Sequence, residues 1–278
     1  MATINRQNDL AIELCRLHTP GKPLVLTNVY DAATASIVAN NPSTKAIATA
    51  SYAVAAAQGI ADEDLTLTRN LATVRSISAV LRPKDESTSE KQTDTLPRLP
   101  LTVDIQDGYD DVAATIREII KLKAVGCNLE DFDNANRRLR PIEEAVERIQ
   151  LGLQAAREAG VPDFVINART DVLIGQHGQK GGSIDDAIER GRAYLKAGAC
   201  TVFVWGGSQR GVSRAEIEAL AAAFEGRLNV KLVLQEGYLT VSELQTMGVA
   251  RISVGPELYR AAMKAFQEKA DLVLSACG

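Results

Sequence analysis

The sequence predicts an α/β protein folded as a (β/α)8 TIM barrel with an added N-terminal helix, on three observations. Eight short apolar runs alternate with helix-like stretches along the chain. The runs are nearly continuous Val, Ile, Leu and Ala, the pattern of parallel strands covered on both faces. The length, 278 residues, is near the ~250 typical of such a barrel and suits one domain over 1–278. An open doubly wound sheet is the alternative, but no G-x-G-x-x-G follows the first strand and no phosphate-binding P-loop occurs.

Each element has its own signal. Residues 6–18 carry Leu10, Ile12, Leu14, Cys15 and Leu17 near helical spacing, and Pro20-Gly21 ends that helix. The first strand is 23–28, and Asp31 caps the helix after it. Residues 45–50 form the second strand, followed by an Ala-rich helix over 53–58 and a further helix over 65–81. The polar stretch 82–98 cannot bury a core and reads as a loop insertion at the face opposite an active site. Strands three to five follow at 101–105, 125–129 and 164–168, with Pro141 as a first-turn proline between the last two. Ser183 and Ser213 cap the next helices, and strands six to eight fall at 200–204, 230–234 and 249–254. Pro256 opens a last long helix.

Composition narrows the function classes. The chain is 46% hydrophobic and 24% charged with net charge −4, so nothing draws it to nucleic acid or an anionic membrane. No apolar run approaches the ~18 residues of a membrane span, and the N-terminus lacks a signal-like apolar core. Cys15, Cys127, Cys200 and Cys277 form no C-x-x-C pair and read as reduced thiols. The expectation is a cytoplasmic protein acting on a small molecule.

Three strands end abruptly in charge, in 101–109, 125–131 and 164–171, gathering Asp104, Asp107, Glu130, Asp131, Arg169 and Asp171. A carboxylate at such a strand end is costly unless a cation or donor meets it. Asp104, Glu130 and Asp62, from the loop after the second strand, make an all-oxygen set suited to Mg2+ or Mn2+, while Asp107, Asp110 and Asp131 read as caps and rim ion pairs. Arg169 could fork a substrate carboxylate, or pair with Glu130. Ser51-Tyr52 offers helix-start amides to an anion. Tyr30 and Trp205 are candidate mouth residues, Gln235 is a candidate for selectivity, and His177 falls in a glycine-rich loop. Cys127 and Cys200 precede strand ends and do not read as nucleophiles.

Taken in order, the residues resemble the isocitrate lyase and phosphoenolpyruvate mutase superfamily. The resemblance rests on Asn28-Val-Tyr-Asp-Ala-Ala-Thr-Ala35, Ala48-Thr-Ala-Ser-Tyr52 with Gly59 and Asp62, Val103-Asp-Ile-Gln-Asp-Gly-Tyr109, Gly126-Cys-Asn-Leu-Glu-Asp131, Asn167-Ala-Arg-Thr-Asp171, Ala197-Gly-Ala199 and 248–256. It implies a barrel whose last helix is exchanged with a neighbouring subunit in a homodimer or homotetramer, Mg2+, and an α-keto acid or phosphonate substrate. It also implies Asp104 as direct metal ligand, with Asp62 and Glu130 acting mainly through water. Arg169 becomes the substrate-carboxylate arginine, and Ser51 and Tyr52 lie where backbone amides hold that carboxylate.

Departures refine the expectation. Gln106 stands where many members carry a second Asp at the metal. The loop 132–140 lacks the Cys and His of the lyase branch, and Arg137 or Arg138 replaces the lysine of the mutase lid. The expected activity is Mg2+-dependent cleavage of a C–C or P–C bond beside the keto group of an oxaloacetate-like or phosphonopyruvate-like acid, through a pyruvate enolate. The alternatives are a phosphonomutase of the phosphoenolpyruvate type and a non-catalytic keto-acid-binding barrel.

Overall fold

The computed structural model describes residues 2–83, 96–174 and 181–275, with side chains from residue 6 onward. Most of the 82–98 insertion, His177 and Cys277 lie outside the described residues. The chain runs α1 (Ala2–Leu17), β1 (Leu24–Leu26), β2 (Asn28–Val29), α2 (Ala32–Ala39), β3 (Ile47–Thr49), α3 (Ser51–Ala57), α4 (Leu67–Val80), β4 (Leu101–Asp104) and α5 (Val112–Lys121). It continues through β5 (Gly126–Glu130), β6 (Phe132–Asp133), β7 (Arg138–Leu139), α6 (Ile142–Glu158), β8 (Val165–Thr170) and α7 (Ile184–Lys196). Last come β9 (Thr201–Val204), α8 (Gly207–Arg210), α9 (Arg214–Ala223), β10 (Leu228–Lys231), α10 (Val241–Thr246), β11 (Arg251–Ser253) and α11 (Glu257–Ser275).

The sheet order is β1-β11-β10-β9-β8-β5-β4-β3-β2, and every pairing in it is parallel. β1 pairs with β11 and β2 with β3, while Thr27 alone separates β1 from β2. One extended segment therefore borders both edges and brings the eight-strand sheet round into a barrel. Asn28 ties the seam: its Nδ2 donates to Thr49 O at 2.7 Å, and its Oδ1 accepts from the Val254 and Gly255 amides at 3.1 and 2.8 Å.

Helices bury one face against the barrel. On α5 the stripe Val112, Ile116, Ile119 and Ile120 is buried, each side chain contributing roughly 1.5–3 kcal/mol on full burial. α6 meets it at Gly152, where a Cβ would lie 2.6 Å from Ile116 Cδ1, so a larger residue would push the helices apart. Asp31 caps α2 as expected, accepting from Thr34 N at 2.7 Å.

Several boundaries differ from expectation; the fifth strand, expected at 164–168, is Val165–Thr170 and so carries Arg169 within it. Pro141 is the N-cap of α6 rather than its first helical residue, because its ψ of 153° is extended. The strand expected at 230–234 is Leu228–Lys231; its partner β11 ends at Ser253, whose carbonyl takes the Leu232 amide at 2.9 Å just past the end of β10. The loop 132–140 contains a small antiparallel pair, β6 with β7. No helix among the described residues is long and apolar enough to cross a membrane.

Candidate active site

The barrel interior holds a polar row. Neighbouring strands β4, β5, β8 and β9 place Asp104, Asn128, Asn167 and Thr201 in register. Thr201 Oγ1 donates to Asn167 Oδ1 (2.7 Å), Asn167 Nδ2 to Asn128 Oδ1 (2.6 Å), and Asn128 Nδ2 to Asp104 Oδ1 (3.2 Å). Every donor in the row points toward the carboxylate, so the chain of amides ends on Asp104. Asn128 and Asn167 were not expected as site residues. Their signal was an amide two residues before Glu130 and Arg169, which puts each pair on the same strand face.

Asp104 is gripped from other directions as well. Ser51 N, at the start of α3, donates to its Oδ2 at 2.9 Å, and Gln106 N donates to Oδ1 at 3.3 Å. The Ser51 amide, expected to face a substrate carboxylate, is thus directed to Asp104. Gln106 adopts a left-handed backbone, φ 52°, that aims its side chain at Asp62: Nε2 donates to Asp62 O at 2.7 Å and Oδ1 at 3.1 Å. Burial first, and the charge of Asp104 second, push the Asp62 carboxyl up to about 6.

Arg169 bridges two carboxylates. Its Nη1 lies 2.8 Å from Glu130 Oε2, and Nε and Nη2 donate to Asp171 Oδ1 and Oδ2 at 2.6 and 2.7 Å. Burial alone would lower the guanidinium pKa, but the Asp171 and Glu130 charges outweigh it and hold it above its ordinary value. Burial pushes the Glu130 carboxyl well above its ordinary value against the pull of Arg169, and Asn134 Nδ2 donates to Glu130 Oε1 at 3.1 Å. Asp107 and Asp131 take the rim roles expected: Asp107 pairs with Arg140 at 3.0 Å, and Asp131 accepts from Tyr194 Oη at 2.7 Å and Arg190 at 3.2 Å.

Trp205, Lys231, Gln235 and Glu257 line a cavity of about 840 Å3 that reaches Ile217 and Leu220 of α9, and Asp62, Asp104, Glu130 and Arg169 are not among its lining residues. Arg169 and Lys231 lie 5.5 and 5.2 Å from the Trp205 ring centroid. Arg260 lies 5.1 Å from the Tyr52 ring, and Tyr30 meets Tyr259 edge-on at 5.0 Å, so both tyrosines contact α11. Tyr30 is buried whereas Tyr52 and Gln235 are exposed. Lys231 and Glu257 were missed because a single lysine or glutamate near a helix start has no spacing signature.

The donor set suits a hard divalent cation, being oxygen-only and acidic, with a half-buried Asp62 close enough to Asp104 for repulsion. Among the described residues no three His, Cys, Asp or Glu side chains converge on one point. Protein ligation would therefore come chiefly from Asp104, with Asp62 and Glu130 reaching a cation through water.

A family model described as phosphoenolpyruvate phosphomutase matches residues 14–274. A protein of Burkholderia cenocepacia J2315, solved as a candidate phosphonomutase, superposes with a TM-score of 0.78 at 38% identity over 97% of this chain and 99% of that one. The 2-methylisocitrate lyase of Escherichia coli (strain K12) is 38% identical over 116 residues, 38% of this chain and only 36% of that enzyme. A phosphonopyruvate hydrolase crystallised with oxalate and Mg2+ shares the fold, with a TM-score of 0.76 at 21% identity over 98% of this chain and 88% of that one.

Proposed function

Because the chain belongs to the phosphoenolpyruvate phosphomutase family, within the superfamily of PEP mutases and isocitrate lyases, we propose a specific activity for it. It is a Mg2+-dependent lyase that breaks a C–C or P–C bond beside the keto group of a small α-keto acid, leaving pyruvate as its enolate. The observation that carries this reading is the Asp104 carboxylate, which takes amide donors from Ser51, Gln106 and Asn128 at the polar end of a buried strand. A relative of the same fold holds Mg2+ with oxalate, a planar dianion shaped like the enolate of pyruvate.

When bound, Mg2+ supplies Lewis-acid stabilisation of the developing enolate oxygen. Asp104 would hold it, and Asp62 and Glu130 would order its water. Arg169, fixed by Glu130 and Asp171, presents its remaining N–H edge to the substrate carboxylate, and the Tyr52 amide at the start of α3 adds a donor on the other side. These donors stand in place before the bond breaks, so little reorganisation accompanies charge movement. Trp205, against Arg169, would bound the substrate on one side with Gln235 in the cavity beyond it, and Tyr30 meets Tyr259 of α11.

Residues 1–278 act as one barrel unit in this reading, in a homodimer or homotetramer that exchanges α11. None of the residues of α11 is buried in the single chain, and Met263, Phe266, Leu272, Val273 and Leu274 are exposed on it. A phosphonomutase is the second reading, favoured by the Burkholderia relative. Phosphorus NMR of phosphonopyruvate with enzyme and Mg2+ separates the two: P–C cleavage with water taking the phosphoryl group yields pyruvate and inorganic phosphate, whereas a mutase yields the phosphate ester. Calorimetry showing no Mg2+ binding would remove both.

A further inference from the structure

The cation on the far side of Trp205 has no part in the chemistry above. Lys231 is the last residue of β10, and its Nζ lies 2.9 Å from Glu257 Oε1 and 5.2 Å from the Trp205 ring centroid. Arg169, near the end of β8, lies 5.5 Å from the same centroid. β9 runs between β8 and β10, and Trp205 is the first residue after β9, so the indole leaves the rim between two cationic strand ends. The Lys231 and Glu257 side chains are only 16% and 14% exposed, yet both line the cavity, which Trp205 also lines and Arg169 does not.

The two cations are held differently. Arg169 is locked, with Nη1, Nε and Nη2 all engaged by Glu130 and Asp171. Lys231 carries three donors on a flexible stem and meets Glu257 at one of them. Glu257 has a second cation in Arg260 Nη1 at 3.0 Å, so it stays neutralised if Lys231 turns into the cavity. A keto acid anchored by one carboxylate at Arg169 leaves Lys231 unused. A second acidic group across the breaking bond would replace Glu257 as its partner, at a lysine side chain only 16% exposed.

We infer that Lys231 is a specificity residue that binds the second acidic group of the substrate, a carboxylate or phosphonate, so that the site selects dianionic over monoanionic keto acids. This rests on the α-keto acid reading of the same site. Trp205 is the chain's only tryptophan, so its fluorescence reports binding directly.

The test is rapid-mixing fluorescence titration with Mg2+ of the parent, Lys231→Gln and Lys231→Arg, using pyruvate, oxaloacetate and phosphonopyruvate as probes. The parent should bind at least one dianion tenfold or more tighter than pyruvate. Lys231→Gln should weaken that dianion at least tenfold while changing pyruvate less than twofold, and Lys231→Arg should recover most of the loss. Equal weakening of all three probes, or unchanged dianion binding in Lys231→Gln, overturns the assignment while leaving the keto-acid site standing. If the parent binds none of the three, the keto-acid reading fails and the assignment falls with it. Preference of the phosphonate over the carboxylate, or the reverse, identifies which acid Lys231 serves.

Discussion

Gln106 Nε2 donates to Asp62 Oδ1 at 3.1 Å, so a neutral amide stands beside one half-buried carboxylate and two residues along the chain from another, Asp104. An aspartate at 106 would add a third negative charge to that group. Gln106→Asp should bind Mg2+ several-fold more tightly by calorimetry and melt at a lower temperature than the parent in chelator. A variant with unchanged affinity would show that residue 106 does not sense the cation.

Asp62 gives a pH signature. Its folded pKa of about 6 lies above the unfolded value of ~3.9, so its contribution to stability is complete below ~3.9 and is lost as pH rises through 6. Without metal, Asp62→Asn should be more stable than the parent by about 1–3 kcal/mol at pH 8 and equal to it near pH 4. Saturating Mg2+ should stabilise the parent more than the variant. Urea unfolding at both pH values, with Mg2+ and with chelator, checks the four cases.

Arg169 is as much a structural counter-ion as a binding group. Arg169→Met would leave Glu130 and Asp171 buried without their cation, at a cost of about 3–5 kcal/mol. Arg169→Lys keeps the charge but loses the fork to Asp171, so it should retain more stability than Arg169→Met and still lose most substrate affinity. Denaturant unfolding read beside KM separates the two roles.

The floor of the barrel contributes an acid-sensitive group. His18 is buried with Nδ1 2.7 Å from Leu14 O, and burial, then the charge of Arg251, push its pKa down to about 3. The unfolded chain binds that proton more readily, so stability is whole above ~6.5 and falls as pH drops toward 3, by on the order of 4 kcal/mol. His18→Gln should flatten the stability profile in that window, measured by thermal melting from pH 7 to 4.

The barrel was legible because its strands are short, apolar and bounded by caps, as Asp31 and Ser183 show. Asp104, Glu130 and Arg169 were legible because charge ending an apolar run has few structural explanations. Sequence offered the Arg169–Glu130 pair only as one of two readings, and it could not show that Arg169 also forks Asp171 or that the Ser51 amide turns to Asp104. Lys231 and Glu257 meet across residues 231 and 257 only because β10 and β11 are neighbours, a relation without local pattern. The shift of the seventh strand to Leu228–Lys231 is likewise a matter of pairing, its last residue lying opposite Ser253 at the end of β11.

The central claim is metal-dependent cleavage of an α-keto acid at Asp104. It is tested most directly by pyruvate release from oxaloacetate and phosphonopyruvate, with Mg2+ and with chelator, corrected for spontaneous decarboxylation. The parent should release pyruvate from at least one of them only with Mg2+, and Asp104→Ala should lose at least a hundredfold in rate. Release that is unaffected by chelator, or by Asp104→Ala, would contradict the account.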